Sequence, residues 1–276
     1  MTPAYVGIDL AFSKGKLLPV SVCIKRDGIL IPLPLREKHL LPPKGKGNLL
    51  ALDEVAVEAF SEEVLQFLRK IEVSKRIRIE RIAIDAPRNF KTEMVRRQCE
   101  KAMDDIGISC FATPSQEEFQ QIREKVKKHM VEDTRETHIP HANQLWMLVG
   151  FSLFGTLGKA FGQNKLIEVY PQAIVNALGC SELHKTTDDG FKMQLQTIAK
   201  ATGWSSPDAL LGELRKMGFG AKHDKLDAFM SAWVASLPDD ARKACGMPPD
   251  DAIWVPKKQK LGEIFDGYTP IVNAGL

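Results

Sequence analysis

The chain has 276 residues, of which 44% are apolar and 26% are charged, and this ordinary globular composition excludes wholesale disorder. Its net charge of +3 is too small for a protein that coats DNA, although it does not oppose a polyanionic partner. The five cysteines have no CxxC or Cys/His ligand spacing, which argues against structural zinc and favours reduced thiols in a cytoplasmic protein. The longest apolar segment, 145–157, is shorter than the roughly twenty residues of a membrane helix, so we expect no membrane partner.

The beginning of the chain has the pattern of a three-stranded antiparallel meander. An apolar run at 4–8 ends in Asp9 and predicts a buried strand. Two further runs rich in β-branched residues, 17–25 and 28–35, are separated by Arg26-Asp27-Gly28. Because Asp-Gly between two such runs is typical of a hairpin turn, we expect these three strands to be joined in sequence.

The remainder of the chain alternates strands with helices. Further strands are predicted at 77–84, 108–112 and 166–170, with one short strand at 253–255 near the end of the chain. Helices are predicted at 52–70, 91–106, 115–130, 141–161, 171–179, 188–202 and 222–236, with another that begins near Pro207. This order predicts a mixed α/β sheet that starts with an antiparallel meander and continues through crossover connections to parallel strands.

Two of the predicted strands end in a carboxylate followed by small or rigid residues. GIDLA at 7–11 contains Asp9, and AIDAP at 83–87 contains Asp85. Ligands of open α/β sheets bind beyond the carboxyl ends of the strands, so neighbouring strands would bring both carboxylates into one crevice. Two close anions repel each other unless a cation neutralises them, and oxygen ligands suit Mg²⁺ or Mn²⁺. The alternative is that each aspartate only caps the loop that follows it.

The last predicted helix begins with HDKLDA at 223–228, which contains a second acidic pair. Asp224 and Asp227 are three residues apart and therefore share a helix face. The small residues Ser231 and Ala235 farther along this side permit close packing on a sheet. A carboxylate beside such packing is partly buried and needs a partner, which a metal ion shared with the strand ends would supply. In the alternative interpretation, Asp224 caps the helix and only Asp227 points inward.

Five further charged or titratable residues have open roles. Glu168, the one charge in an apolar strand, is a further ligand, a residue that orients a ligand, or a charge on a sheet edge. Lys14, Arg88 and Lys185 either approach a substrate phosphate or are solvated surface charges. His223 either transfers a proton or pairs with the neighbouring aspartate.

Five short motifs occur in a characteristic order: GIDLA, AIDAP, IEVYP, His184-Lys185-Thr186 followed by Gly190, and HDKLDA. In this order they resemble domain-of-unknown-function family 429 over roughly residues 4–237, a resemblance that implies nucleases with an RNase H-like fold. HDKLDA also resembles the end of Holliday-junction resolvases, in which two aspartates three residues apart close the metal site. The resemblance implies that Asp9, Asp85 and Asp227 are metal ligands, with Asp224 as a fourth. The implied reaction is two-metal hydrolysis with the ions roughly 4 Å apart.

We therefore expect an RNase H-like domain over 1–240, which includes a loop at 36–50 and a helical insertion at 115–161. An irregular C-terminal extension is expected over 241–276. The predicted function is Mg²⁺- or Mn²⁺-dependent hydrolysis of phosphodiester bonds in structured DNA or RNA. The predicted catalytic residues are Asp9, Asp85, Asp224, Asp227 and Glu168, and a homodimer is left open.

Two other functions are compatible with such a fold. One is an ATP- or phosphate-binding enzyme of the actin-like superfamily, which normally needs a second, Gly-rich phosphate loop. The segment Ala86-Pro87-Arg88 after the second strand end is not Gly-rich, and the chain contains neither GxxxxGK[ST] nor a GxGxxG that follows a strand and opens a helix. The other is a nucleic-acid-binding module that has lost catalysis, against which the intact acidic set argues.

Overall fold

The computed structural model describes residues 1–10, 14–37, 40–92, 95–132, 144–180, 185–218 and 220–257. The strands are β1 (Thr2–Asp9), β2 (Val20–Arg26), β3 (Ile29–Pro32), β4 (Ile77–Asp85), β5 (Leu166–Glu168), β6 (Arg242–Met247) and β7 (Asp251–Pro256). The α-helices are α1 (Glu54–Lys75), α2 (Gln98–Asp105), α3 (Gln116–Glu132), α4 (Trp146–Phe161), α5 (Pro171–Ala177), α6 (Asp188–Ala201), α7 (Pro207–Lys216) and α8 (Lys222–Ser236). Short 3-10 helices cover Asn48–Leu52, Gln163–Lys165 and Asp239–Ala241.

The strands form one seven-stranded mixed sheet in the order β3-β2-β1-β4-β5-β7-β6. The first three strands pair antiparallel, whereas β4 is parallel to β1, β5 to β4 and β7 to β5. The predicted mixed α/β sheet, with its initial meander and its later parallel strands, is therefore confirmed. The described part of the loop predicted at 36–50 contacts the meander through a bridge between Leu17 and Lys44.

Helices cover both faces of the sheet, and side-chain alternation along β1 separates the two layers. Ala4, Val6 and Ile8 are fully buried in a core that includes residues of α1 and α4. Tyr5 and Gly7 face the other way, because successive side chains of a strand point to opposite faces. Helix α8 lies on that second face, where it contacts β1, β2 and β4.

The contact between β1 and α8 is close because residue 7 has no side chain. A Cβ atom built on Gly7 would lie 2.0 Å from the carbonyl oxygen of Ala228 and 2.4 Å from the backbone nitrogen of Ala232. It would also lie 2.9 Å from Cβ of Ser231. The small residues of α8 thus pack directly on the backbone of β1, as the sequence predicted for this helix.

We expect Gly7→Ala to destabilise the chain by about 3 kcal/mol or more, because a methyl group there collides with helix backbone and overpacking strains a core. Chemical denaturation should show a lower midpoint. Gly212→Ala in α7 is the matched control, because a Cβ there meets nothing within 4 Å and alanine favours helix. Equal stability of the two variants would contradict the close packing of α8 on β1.

The C-terminal region differs from the irregular extension expected over 241–276. Residues 242–256 form the antiparallel β6–β7 hairpin, and β7 extends the sheet beside β5. The sequence RKACGM of β6 lacks the apolar alternation that indicates a strand. Pairing with β7 stabilises the hairpin instead, together with the guanidinium group of Arg242, which stacks 4.6 Å from the centre of the Trp254 ring. Residues 258–276 lie outside the described part of the chain.

The strand predicted at 108–112 is wrong, because these residues are irregular. Side chains rather than a neighbouring strand satisfy their carbonyl groups: Tyr170 Oη donates to Ser109 O, and Arg96 Nη2 donates to Cys110 O. No helix in the described ranges is both long enough and apolar enough to cross a membrane.

Candidate functional site

Asp9 and Asp85 lie side by side at the carboxyl ends of β1 and β4. They are register partners in the parallel ladder, and neighbouring strands run about 4.8 Å apart. Alternation along the strands points Asp9 to the same face as Gly7, and Asp85 to the same face as Ala83, which is the face that α8 covers. The predicted convergence of these two strand ends is therefore present in the fold.

Asp227 faces the strand ends from the second turn of α8. Its side chain is 1% exposed and accepts a hydrogen bond from Nζ of Lys185, which lies just before α6. The close packing of α8 on Gly7 sets the position of this turn relative to β1. The second aspartate of HDKLDA is thus the one that points inward.

The three carboxylates influence one another strongly. Burial raises the pKa of Asp9 well above its ordinary value, and the charges of Asp85 and Asp227 raise it further. Burial, followed by the charge of Asp227, raises the pKa of Asp85 to about 8. Burial also raises the pKa of Asp227, while Lys185 opposes the rise at all three groups. Asp9 and Asp85 are nevertheless only partly buried, so each keeps part of its surface accessible to solvent.

Asp224 lies at the border of this cluster, half-buried on the first turn of α8. It pairs with His223, whose Nε2 atom is 3.2 Å from Asp224 Oδ1. Its charge raises the pKa of both Asp9 and Asp227. The N-cap position is occupied by Ala221, so Asp224 does not cap the helix as one interpretation of the sequence held.

Glu168 does not join the carboxylate cluster. It pairs in register with Ile84, whereas Asp85 is the next residue of β4, so the alternation of side chains turns Glu168 to the opposite face. There it accepts two hydrogen bonds from Arg97, at 3.1 Å and 2.6 Å, and one from the backbone nitrogen of Arg88 at 2.8 Å. Of the roles left open, a direct ligand fits this geometry least, although its charge still raises the pKa of Asp85.

The basic residues predicted to approach a phosphate have three different surroundings. Arg88 is buried and donates to the carbonyl of Leu166 and to the side chain of Gln163, so it supports the sheet instead of facing substrate. Its guanidinium group lies against β5 and the 3-10 helix that precedes it, a contact between distant segments that a single sequence does not reveal. Lys14 is exposed beyond β1, whereas Lys185 contacts the cluster.

Sequence reasoning missed Arg97 and its neighbour Asp251. Arg97 lies in a stretch rich in Lys and Arg that resembles a solvated helix face, yet its side chain is 4% exposed. Asp251 of β7 accepts hydrogen bonds from the backbone nitrogens of Gln98 and Cys99 and so caps α2 from another element. This explains why the helix predicted from residue 91 begins only at Gln98, and no local signal in the sequence indicates it.

The donor chemistry of the cluster suits a hard divalent cation. Three carboxylates lie together with one ammonium group, and the pKa values of Asp9 and Asp85 are raised first by burial and then by neighbouring carboxylates. Within the described residues, however, no group of three or more His, Cys, Asp or Glu side chains is already arranged to hold a metal ion. The carboxylate oxygens are therefore ligands of the type that Mg²⁺ and Mn²⁺ prefer, but the side chains would have to rotate to surround the ion.

The burial of these carboxylates, together with their mutual repulsion, predicts an unusual dependence of stability on pH. Since folding raises the Asp85 pKa to about 8, the folded chain holds this proton more tightly than the unfolded chain does. The resulting stability is present below about pH 4, the ordinary aspartate value, and is lost as the pH rises through about 8. We expect the free energy of unfolding, measured in EDTA by urea titration, to fall over this range by up to about 1.4 kcal/mol per pH unit.

Asp85→Asn should flatten this pH dependence, because the amide does not titrate. Asp240→Asn is the matched control, since Asp240 is exposed and lies outside the cluster. If Asp85→Asn had the same slope as the wild type, the attribution of the pH dependence to this group would be wrong.

The family comparison confirms the resemblance to family 429, although the match begins at residue 44 and not near residue 4. The family model described as a protein of unknown function (DUF429) matches residues 44–252, which is more than half of the chain. The chain belongs to the DUF429 family. The part of this DUF429 chain that matches includes Asp85, Asp224 and Asp227, while Asp9 on β1 precedes it. No curated protein and no solved structure matches the chain significantly.

Proposed function

We propose that this DUF429 protein is a metal-dependent nuclease with an RNase H-like fold that hydrolyses phosphodiester bonds in structured DNA or RNA. The observation that carries the proposal is the side-by-side position of Asp9 and Asp85 at the ends of two parallel strands, with Asp227 facing them. A carboxylate cluster at this edge of an open α/β sheet is a typical place for a ligand.

The sheet order supports the RNase H-like assignment. An antiparallel meander, β1 to β3, is followed by β4 and β5 as parallel strands on the other side of β1. This arrangement places β1 and β4 side by side in the interior of the sheet, where their carboxyl ends adjoin. The central strand β4 therefore contributes Asp85, and its parallel neighbour β1 contributes Asp9.

In this proposal Asp9, Asp85 and Asp227 hold Mg²⁺ or Mn²⁺ through their carboxylate oxygens, and Asp224 is a fourth ligand at the border. When bound, the ion would lower the pKa of a water molecule and neutralise charge on the phosphate. The residues of the chain orient the reaction: Lys14 and Lys185 contact the phosphate, and His223 beside Asp224 accepts or donates a proton. Arg97 positions Glu168, whose negative charge raises the pKa of Asp85.

A groove lined by several basic residues supports a polyanionic partner. It has a volume of about 580 Å³ and lies between α6, α7 and the start of α8. Phe191, Leu195 and Leu211 contribute apolar surface, and the basic residues that line it are Lys192, Arg215, Lys222 and Lys225. Burial, followed by the neighbouring charge of Arg36, lowers the pKa of Lys225, and the acidic Asp208 also lines the groove. A nucleic acid would supply both apolar bases and phosphates to such a groove.

The test is a cleavage assay with the full chain on a four-way DNA junction, an RNA–DNA hybrid, single-stranded DNA and single-stranded RNA. We expect at least one substrate to be cut with Mg²⁺ or Mn²⁺, and none to be cut in EDTA. If all four remain intact with both metals, the nuclease proposal fails for those substrates. Tight ATP binding in calorimetry, without cleavage, would favour an actin-like enzyme instead.

A further inference from the structure

Lys185 is the cation that the chain itself supplies to the carboxylate cluster. Its ammonium group donates to Oδ2 of Asp227, a side chain that is 1% exposed. The Lys185 side chain is 34% exposed, so it reaches the buried carboxylate from the solvent side. A buried carboxylate without such a partner is strongly unfavourable.

The charge of Lys185 acts on the whole cluster and not only on Asp227. It lowers the pKa of Asp9, of Asp85 and of Asp227, opposing the effect of burial at each. Among the described residues, Asp224 and His223 lie beside these carboxylates, and the charge of Glu168 acts on Asp85 from the opposite face of the sheet. His223 already pairs with Asp224, and Glu168 is held by Arg97, so Lys185 is the direct ionic partner of the cluster among the described residues.

The location of Lys185 allows the pair to separate. The residue precedes α6, whose N-cap is Thr187, and so belongs to the connection before the helix and not to its regular backbone. A lysine side chain has four rotatable carbon links, and its ammonium group regains hydration when it turns outward. Asp227, in contrast, is fixed in α8 on the backbone of β1.

We infer that Lys185 is the counter-ion of the carboxylate cluster in the metal-free protein, and that its ammonium group leaves Asp227 when a divalent cation binds there. The inference depends on the proposed metal site. A divalent ion and an ammonium group both require the oxygens of Asp227, and the ion brings the larger charge to the same three carboxylates. The released ammonium group then lies at the rim of the site, where it contacts the phosphate of the substrate.

Limited reductive methylation of the full chain, read by peptide mass spectrometry, tests this exchange. The reagent attacks free amines, and the amine of Lys185 is engaged with Oδ2 of the buried Asp227, so it is less available to the reagent than an amine on the surface. In EDTA we expect Lys185 to be labelled at least about tenfold more slowly than exposed Lys192. With millimolar Mn²⁺ the two rates should become similar, while the rate at Lys192 stays constant.

Calorimetry with Mn²⁺ separates failure of this inference from failure of the proposed function. If Mn²⁺ binds and Lys185 stays protected, the exchange is wrong and the metal site stands. If Mn²⁺ does not bind, both the exchange and the nuclease proposal are overturned, and the pair is a structural ion pair only.

A variant gives a second readout of the same exchange. We expect Lys185→Gln to bind Mn²⁺ about tenfold more tightly than the wild type, because no ammonium group has to leave. Lys225→Gln is the matched control: it removes the same charge near α8 without contacting Asp227, so its affinity should change much less. Wild-type affinity in Lys185→Gln would overturn the inference.

Discussion

Asp9→Asn is expected to lower metal-dependent cleavage at least about 10³-fold, which corresponds to several kcal/mol of transition-state stabilisation. The amide keeps the shape of the carboxylate but removes one of the charges that would hold the ion. Initial rates of cleavage at saturating Mn²⁺, with whichever substrate the wild type cuts, provide the measurement.

The stability of the same variant distinguishes lost chemistry from lost folding. Because the pKa of Asp9 is raised by burial and by Asp85 and Asp227, removal of its charge relieves repulsion, and the variant should unfold in EDTA at the same or a higher urea concentration. Asp27→Asn is the matched control, since Asp27 is exposed in the β2–β3 turn at φ 53°, which asparagine tolerates. Wild-type activity in Asp9→Asn would eliminate Asp9 from the catalytic set.

Arg97→Met is expected to destabilise the folded chain by about 3–5 kcal/mol, because it leaves Glu168 buried and charged without its bidentate partner. The side chains of Arg97 and Glu168 are 4% and 6% exposed, so solvent does not replace the lost interaction. Nε of Arg97 also lies 3.5 Å from Asp251, and the variant therefore removes a second ion pair. Urea titration gives the free energy of unfolding.

Two further variants show whether the cost comes from the unpaired charge. Arg97→Met combined with Glu168→Leu should recover most of the lost stability, because an apolar pair can replace a buried ion pair. Lys192→Met is the control for an ion pair on the surface: Lys192 and Asp189 are 3.9 Å apart with side chains 75% and 84% exposed, so its removal should have little effect. If Arg97→Met were as mild as this control, Glu168 would not depend on Arg97.

The sequence predicts the strand ends of the site well, because their signals are local. An apolar run that ends in Asp9, and another that ends in Asp85 before Pro87, define both the strands and the side of the sheet on which ligands bind. The helix predicted at 222–236 has the same bounds in the structure, since Pro238 and the small residues of its inner face delimit it. These features place Asp9, Asp85 and Asp227 together.

The rest of the site depends on contacts between distant segments. Glu168 pairs in register with Ile84, one residue before Asp85, and its side chain therefore faces away from that of Asp85. The register of two parallel strands cannot be read from the sequence of either strand alone. Arg97 resembles a surface residue until β7 and β5 are placed around it. Likewise, the sequence predicts the strand at 253–255 within β7 but not its partner β6, because β6 is stabilised by pairing with β7 rather than by an apolar pattern of its own.

The absence of a side chain at Gly7 has a mechanical consequence for the site. Ala228 and Ala232 pack directly on the backbone of β1, without side chains between helix and strand. Because such a contact is close-packed and hard to deform, we expect α8 and β1 to move together. Asp9, Asp85 and Asp227 are thus attached to rigidly packed backbone, whereas Lys185 contacts Asp227 through the end of a long, flexible side chain. The site consequently carries its carboxylates on rigidly packed backbone, and in the proposed exchange the ammonium group of Lys185 is the part that moves.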